Sequence, residues 1–155
     1  MANAYFLDSS GLVKRYVQET GTAWVRGVTR HSKSTYIHIA RITAVEVTAA
    51  VARRRKERTV TSRQASSILS RFRKHLAGRY IILEITPALA DAAMTLANKH
   101  TLRAYDAVQL AAAIIANKDW TDAGLGGFVF VSADRKLNTA ATAEGLAVEN
   151  PENHP

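Results

Sequence analysis

Four carboxylates in this 155-residue chain stand where apolar residues surround them. Asp8 closes the run "AYFL" and Asp134 follows "FVFVS" by two positions. Glu46 lies within "ITAVEVTAA", and Asp106 is the only formal charge from Ala104 to Asn117 in "AYDAVQLAAAIIAN". Each has an ordinary explanation. Asp8 and Asp134 are suited to cap helices through their side-chain oxygens, and Ser132 could cap the same helix as Asp134. On a helix, Glu46 has Ile42, Ala49 and Ala50 as neighbours, so its carboxylate needs a partner such as Arg53 or Arg41. Asp106 could accept the first backbone N–H groups of its own helix. One arrangement would account for all four. Carboxylates drawn together repel, and burial adds a desolvation cost. A hard divalent cation offsets both, and Mg²⁺ or Mn²⁺ takes oxygen ligands and water. With no cysteine and no paired spacing among the five histidines, zinc is disfavoured.

The elements that must position these acids can be traced along the chain. "AYFL" (4–7) reads as a buried strand, followed by a helix over "SSGLVKRYVQE" with Ser9 or Ser10 as its cap. "GTAWVRGVTRHS" suggests a weaker helix, "TYIHIA" (35–40) a strand, and 42–58 and 61–76 two further helices. "YIILEI" (80–85) is a strand, and Thr86-Pro87 opens a helix as cap and first residue. The Asp106 segment is the next helix, "FVFVS" (128–132) a buried strand, and "ADRKLNTAATAEG" a helix stopped at Gly145. "LAVEN" is a short last strand. Short apolar strands alternating with helices predict an α/β fold with a mainly parallel sheet. In such a sheet ligands bind beyond the carboxyl ends of the strands, where strand order reverses. Residues 1–150 read as one domain, and the tail "ENPENHP" as too polar and Pro-rich for regular structure.

The totals narrow the class of partner. Apolar residues make up 47% of the chain, enough for a core without disulfides. The absence of cysteine, of a signal-peptide pattern at "MANAYFLDSS" and of any bilayer-length apolar run predicts a soluble, cytoplasmic protein. A net charge of +8 favours a polyanion as partner.

"YFLDSS", "TAVEV", "LRAYDAVQLAAA" and "FVSADRKLNTAATAEGL", in that order, resemble the motif set of PIN-domain ribonucleases, and among them the VapC toxins of toxin–antitoxin pairs. The likeness runs from residue 4 to about residue 150. It implies a three-layer α/β/α fold around a parallel five-stranded sheet of order 3-2-1-4-5, which would bring Asp8 and Asp134 together. It also implies that Asp8, Glu46, Asp106 and Asp134 form an acidic quartet holding Mg²⁺ or Mn²⁺, with Ser10 and Ser132 in support. The activity implied is endoribonuclease cleavage that leaves 5′-phosphate and 3′-hydroxyl ends. The implied partners are RNA, a cognate antitoxin and a second copy of the chain. Lys14, Arg15, Arg41, Arg103, Arg135 and Lys136, all near the motifs, are the candidates to face RNA, and "RRRKER" reads as a solvated helix end. A surface comprising the exposed part of "GLVKRYVQE" and the helices from 42 to 76 is the candidate for the antitoxin. The competing reading is a PIN-like or receiver-like α/β module that binds RNA or protein without cutting. A receiver-like site would need an acidic pair after the first strand, where this chain has "DSSG". A dinucleotide-binding fold is disfavoured because no G-x-G-x-x-G follows that strand.

Overall fold

The computed structural model describes residues 3–155. Five strands form one sheet: β1 (Asn3–Leu7), β2 (Thr35–Ala40), β3 (Tyr80–Leu83), β4 (Phe128–Val131) and β5 (Ala147–Glu149). Their order is β3-β2-β1-β4-β5, and every adjacent pair is parallel. The order and the α/β/α layering match the expected PIN-like fold. Strand order turns back between β1 and β4, so the functional crevice belongs beyond Leu7 and Val131, which are register partners.

Alternation along the strands separates two cores. Phe6 stacks on Phe130, its register partner, with ring centroids 5.9 Å apart on one face of the sheet. Covering that face are α5 (Pro87–His100), α6 (Ala104–Asp122) and α7 (Arg135–Ala143). Leu7 and Val131 point to the opposite face. There they meet α1 (Ser9–Tyr16), α2 (Thr22–Val28), α3 (Arg41–Lys56) and α4 (Ser62–Gly78). Burial of each such aromatic or aliphatic side chain contributes about 1.5–3 kcal/mol. Small residues let α6 lie close: Ala107, Ala111, Ala112, Ala113 and Ala116 are all buried against the core.

Local signals set the element ends. Thr86 caps α5 by accepting from the Leu89 N–H, with Pro87 at its first position. The first helix departs from expectation. Asp8, not Ser9 or Ser10, is its cap, because the Asp8 carboxylate accepts the Gly11 N–H at 2.8 Å. That helix also stops at Tyr16, short of the Glu19 that the pattern suggested. Gly11 is required by close approach: a Cβ there would lie 2.8 Å from the carbonyl oxygen of Val131.

The tail also differs from the expectation of no regular structure. Pro151–Asn153 form a 3-10 turn, capped by the Asn150 side chain accepting from the Glu152 N–H. Pro151 is buried against Gly21, whose φ of 87° L side chains rarely adopt, and where a Cβ would collide with the Pro151 carbonyl. His154 stacks on Trp24 at 4.5 Å. Neighbours distant in sequence, rather than local propensity, hold this segment.

Candidate active site

Asp8 sits at the reversal of strand order, 3% exposed. Its Oδ1 accepts from the Gly11 N–H at 2.8 Å and the Ser10 hydroxyl at 2.7 Å, and its Oδ2 from the Ser132 hydroxyl at 2.7 Å. Both serine hydroxyls have a second task as acceptors. Ser132 Oγ takes the Asp134 N–H and Ser10 Oγ the Ala133 N–H, each at 3.0 Å. One carboxylate thus clamps the start of α1 to the turn after β4. Burial pushes the Asp8 carboxyl up to about 6, against the lowering effect of Ser132, Gly11 and Ser10, and the Glu46 charge pushes it in the same direction as burial.

Glu46 lies on α3 facing this point. Its Oε2 accepts from the Ser9 hydroxyl at 3.1 Å and its Oε1 from Gln109 Nε2 at 2.8 Å. No arginine among the described residues pairs with it: Arg41 is instead engaged by Glu84. Gln109, one turn beyond Asp106 on α6, also donates to the Thr43 hydroxyl at 2.8 Å, so one buried amide ties α6 to α3. Its own carbonyl oxygen is buried without a partner among the described residues. Sequence reasoning missed Gln109, Thr43 and Ser9. The available signal was a polar amide inside "AVQLAAA", where a buried group needs a partner.

Asp134 caps α7, its Oδ1 accepting from the Leu137 N–H at 3.0 Å. Asp106 is in the first turn of α6 yet accepts no backbone N–H among the described residues. Its Oδ2 meets Arg103 Nε at 3.2 Å, and Arg103 Nη2 lies 3.8 Å from Asp134 Oδ2. Arg103 therefore sits between the two aspartates as their counter-charge. Asp106 and Asp134 are linked through Arg103, and Glu46 is near enough to Asp8 for its charge to act on it. Ser132 joins Asp8 to the Asp134 backbone. No three acidic or histidine side chains among the described residues form a ready-made metal cage. The donor set is nonetheless all oxygen. Such a set fits a hard ion that keeps several waters and takes only one or two carboxylates.

Beside the acids opens a cleft of about 570 Å³ lined by Ser9, Ser10, Glu46, Tyr105 and Ala133, with Arg53 on its far wall. The basic candidates divide. Lys14 is 4% exposed, lines the same cleft, and is paired with Glu19 at 3.3 Å and Glu152 at 3.4 Å. Arg15 bonds to Thr29, Arg41 to Glu84 and Lys136 to the Thr101 carbonyl. Arg135 is exposed, and its side chain makes no hydrogen bond or ion pair among the described residues. Arg53, which the sequence reading assigned to a solvated helix end, lies on the cleft.

The fold and the acid site define a class. The PIN domain family pattern matches residues 5–142, and the chain belongs to the PIN-domain family. Solved structures agree on the fold. PAE2754 from Pyrobaculum aerophilum is 21% identical, with a TM-score of 0.61 over 99% of this chain and 93% of that one. VapBC2 from Rickettsia felis, bound to a DNA fragment from its promoter, is 16% identical, with a TM-score of 0.64 over 95% and 98%. FitAcB from Neisseria gonorrhoeae is 17% identical, with a TM-score of 0.59 over 95% and 97%. No curated protein matches the chain. No helix among the described residues is long and apolar enough to cross a membrane.

Proposed function

We propose that the chain is a divalent-metal-dependent endoribonuclease and the VapC-type toxin of a toxin–antitoxin pair. The observation that carries this reading is the Ser132 hydroxyl, which ties the buried Asp8 carboxylate to the turn bearing Asp134. It collects acids from two strand ends at the reversal point of a PIN-domain sheet. Asp8 and Asp106 would hold Mg²⁺ or Mn²⁺ directly, and Glu46 and Asp134 directly or through water. A bound ion supplies nucleophilic water at neutral pH and offsets charge on the leaving oxygen. The chain's own contribution is positional. Ser10, Ser132 and the Gly11 N–H fix Asp8, Gln109 and Ser9 fix Glu46, and Arg103, now paired with Asp106, would have to release it for Asp106 to hold an ion. Arg53 and Arg135 would face the RNA backbone. The similar VapBC2 and FitAB structures are complexes by name, which supports a cognate antitoxin as partner, and α3 and α4 offer an exposed basic surface for it. A homodimer and a cytoplasmic setting complete the proposal.

A second reading, a PIN-like module that binds RNA without cutting, is favoured by one observation: Arg103 already pairs with Asp106 and lies near Asp134. Purified protein incubated with structured RNAs and Mg²⁺ or Mn²⁺ separates the two. Cleavage should stop with EDTA and fall about a hundredfold or more in Asp8→Asn and Asp106→Asn. Mg²⁺ should raise the melting temperature of wild type by mass action, and less so for Asp106→Asn. RNA bound but uncut under every metal, with wild type and variants alike, gives the second reading the decision.

A further inference from the structure

The opposite end of the sheet carries a second charged concavity that the acid site does not explain. Below the amino ends of β2 and β3, Arg15, Arg26, Arg30, Arg71 and Arg79 line a hollow of about 460 Å³. They come from α1, α2 with the turn after it, and α4 with the residue that caps it. Two histidines, His31 and His75, are the other lining residues, and no carboxylate is among them.

Three of the arginines are held by neutral oxygens. The buried Thr29 carbonyl accepts from Arg15 Nη1 at 3.2 Å and from Arg79 Nη2 at 2.9 Å, and the Thr29 hydroxyl lies 2.5 Å from Arg15 Nη1. Arg26 Nε donates to the Arg15 carbonyl at 3.1 Å. Arg71 lies over the Tyr16 ring, 5.8 Å from its centroid, and Arg30 has no side-chain partner among the described residues. These contacts orient the guanidinium groups without neutralising them. On the floor, His75 Nδ1 lies 2.6 Å from the Tyr16 hydroxyl, which also contacts Tyr80. Burial and the fields of Arg79, Arg15 and Arg71 push His75 down to about 4, so it stays neutral and adds no charge.

A basic helix surface is ordinarily convex and solvated, with flexible charges spread apart. Here like charges from separate segments converge on one hollow, at a repulsive cost that a bound anion would remove. Guanidinium forks match phosphoryl oxygens bidentately, and several of them exceed what a lone carboxylate needs. We propose that this concavity is a phosphate-binding site, separate from the acid cleft, that takes two or more closely spaced phosphoryl groups. They belong either to a nucleotide's phosphate chain or to the backbone of an RNA strand. The site does not depend on the nuclease reading, and its test does not use cleavage.

The full-length protein is titrated in EDTA with sodium triphosphate by calorimetry, and with a labelled single-stranded RNA by fluorescence anisotropy. Arg30→Gln/Arg71→Gln removes two exposed side chains that make no hydrogen bond or ion pair among the described residues. Arg55→Gln/Arg73→Gln, exposed on α3 and α4 away from the hollow, removes the same formal charge. The first pair should weaken binding about tenfold or more, the second by about twofold or less, with melting temperatures unchanged in both. Stronger response to triphosphate assigns a nucleotide phosphate chain, and response to RNA alone assigns a strand backbone. No binding of either probe, or equal weakening by both variant pairs, overturns the proposal.

Discussion

Asp8 is a carboxylate kept in place by its neighbours and penalised by its surroundings. Its carboxyl is raised from 3.8 to about 6, so the fold prefers the neutral form. Ionisation therefore subtracts stability above about pH 6, and the loss is recovered as pH falls through 6 towards the ordinary value. His75 works in the opposite direction, because its lowered value makes acid destabilising below the usual imidazole range. A comparison with Asp8→Asn cancels the histidine. In EDTA, urea denaturation should show the Asn variant matching or exceeding wild type near about pH 7.5. That advantage should shrink by about 1–3 kcal/mol near about pH 5. A difference that does not change with pH would mean that Asp8 is not perturbed. The acids of this site were legible in the sequence because charge is conspicuous in apolar runs. Their supports were less so: Gln109 is neutral, and nothing local shows that its amide reaches Glu46 and Thr43 on another helix. The ion pairs of Lys14 were hidden for the same reason, since one of its two carboxylate partners, Glu152, lies at the far end of the chain.

At the scale of elements, two contacts decide whether the acids share one place. The first is α1 against the end of β4. Gly→Ala inside a helix ordinarily stabilises by about 1 kcal/mol. At Gly11 the sign should reverse, because the added Cβ meets the Val131 carbonyl at 2.8 Å and crowds Asp8 Oδ1 at 3.4 Å. Gly11→Ala should cost about 1–3 kcal/mol in denaturant melts, with a larger loss in any metal-induced stabilisation. The second is α6 against α3 through Gln109. Gln109→Leu keeps the volume but removes the donor from Thr43 and Glu46. It should cost about 1–3 kcal/mol and lower RNA cleavage while leaving RNA binding near wild type. Unchanged cleavage would reduce Gln109 to a packing residue. Most elements were readable from periodicity and punctuation, Thr86-Pro87 and Gly145 above all. The end of α1 was not, because the apolar spacing continues through Val17 while the chain turns toward the tail.

At the scale of the molecule, the tail acts as a clasp. Pro151 fills the space at Gly21, His154 covers Trp24, and Glu152 shares Lys14 with Glu19. A chain ending at Asn150 would leave the buried ammonium with one partner and expose an indole face. Its melting temperature should drop by about 4–8 °C. No drop would show that the turn adds nothing to the fold. The sheet order has a further consequence, in time rather than in space. β1 is made first but lies at the centre, and its neighbour β4 is made more than a hundred residues later. Ser132, which anchors Asp8, and Asp134 follow that late strand. During synthesis from the amino end, Asp8 waits without its Ser132 anchor until β4 has been made, and a chain stopped before Phe128 has no assembled acid site.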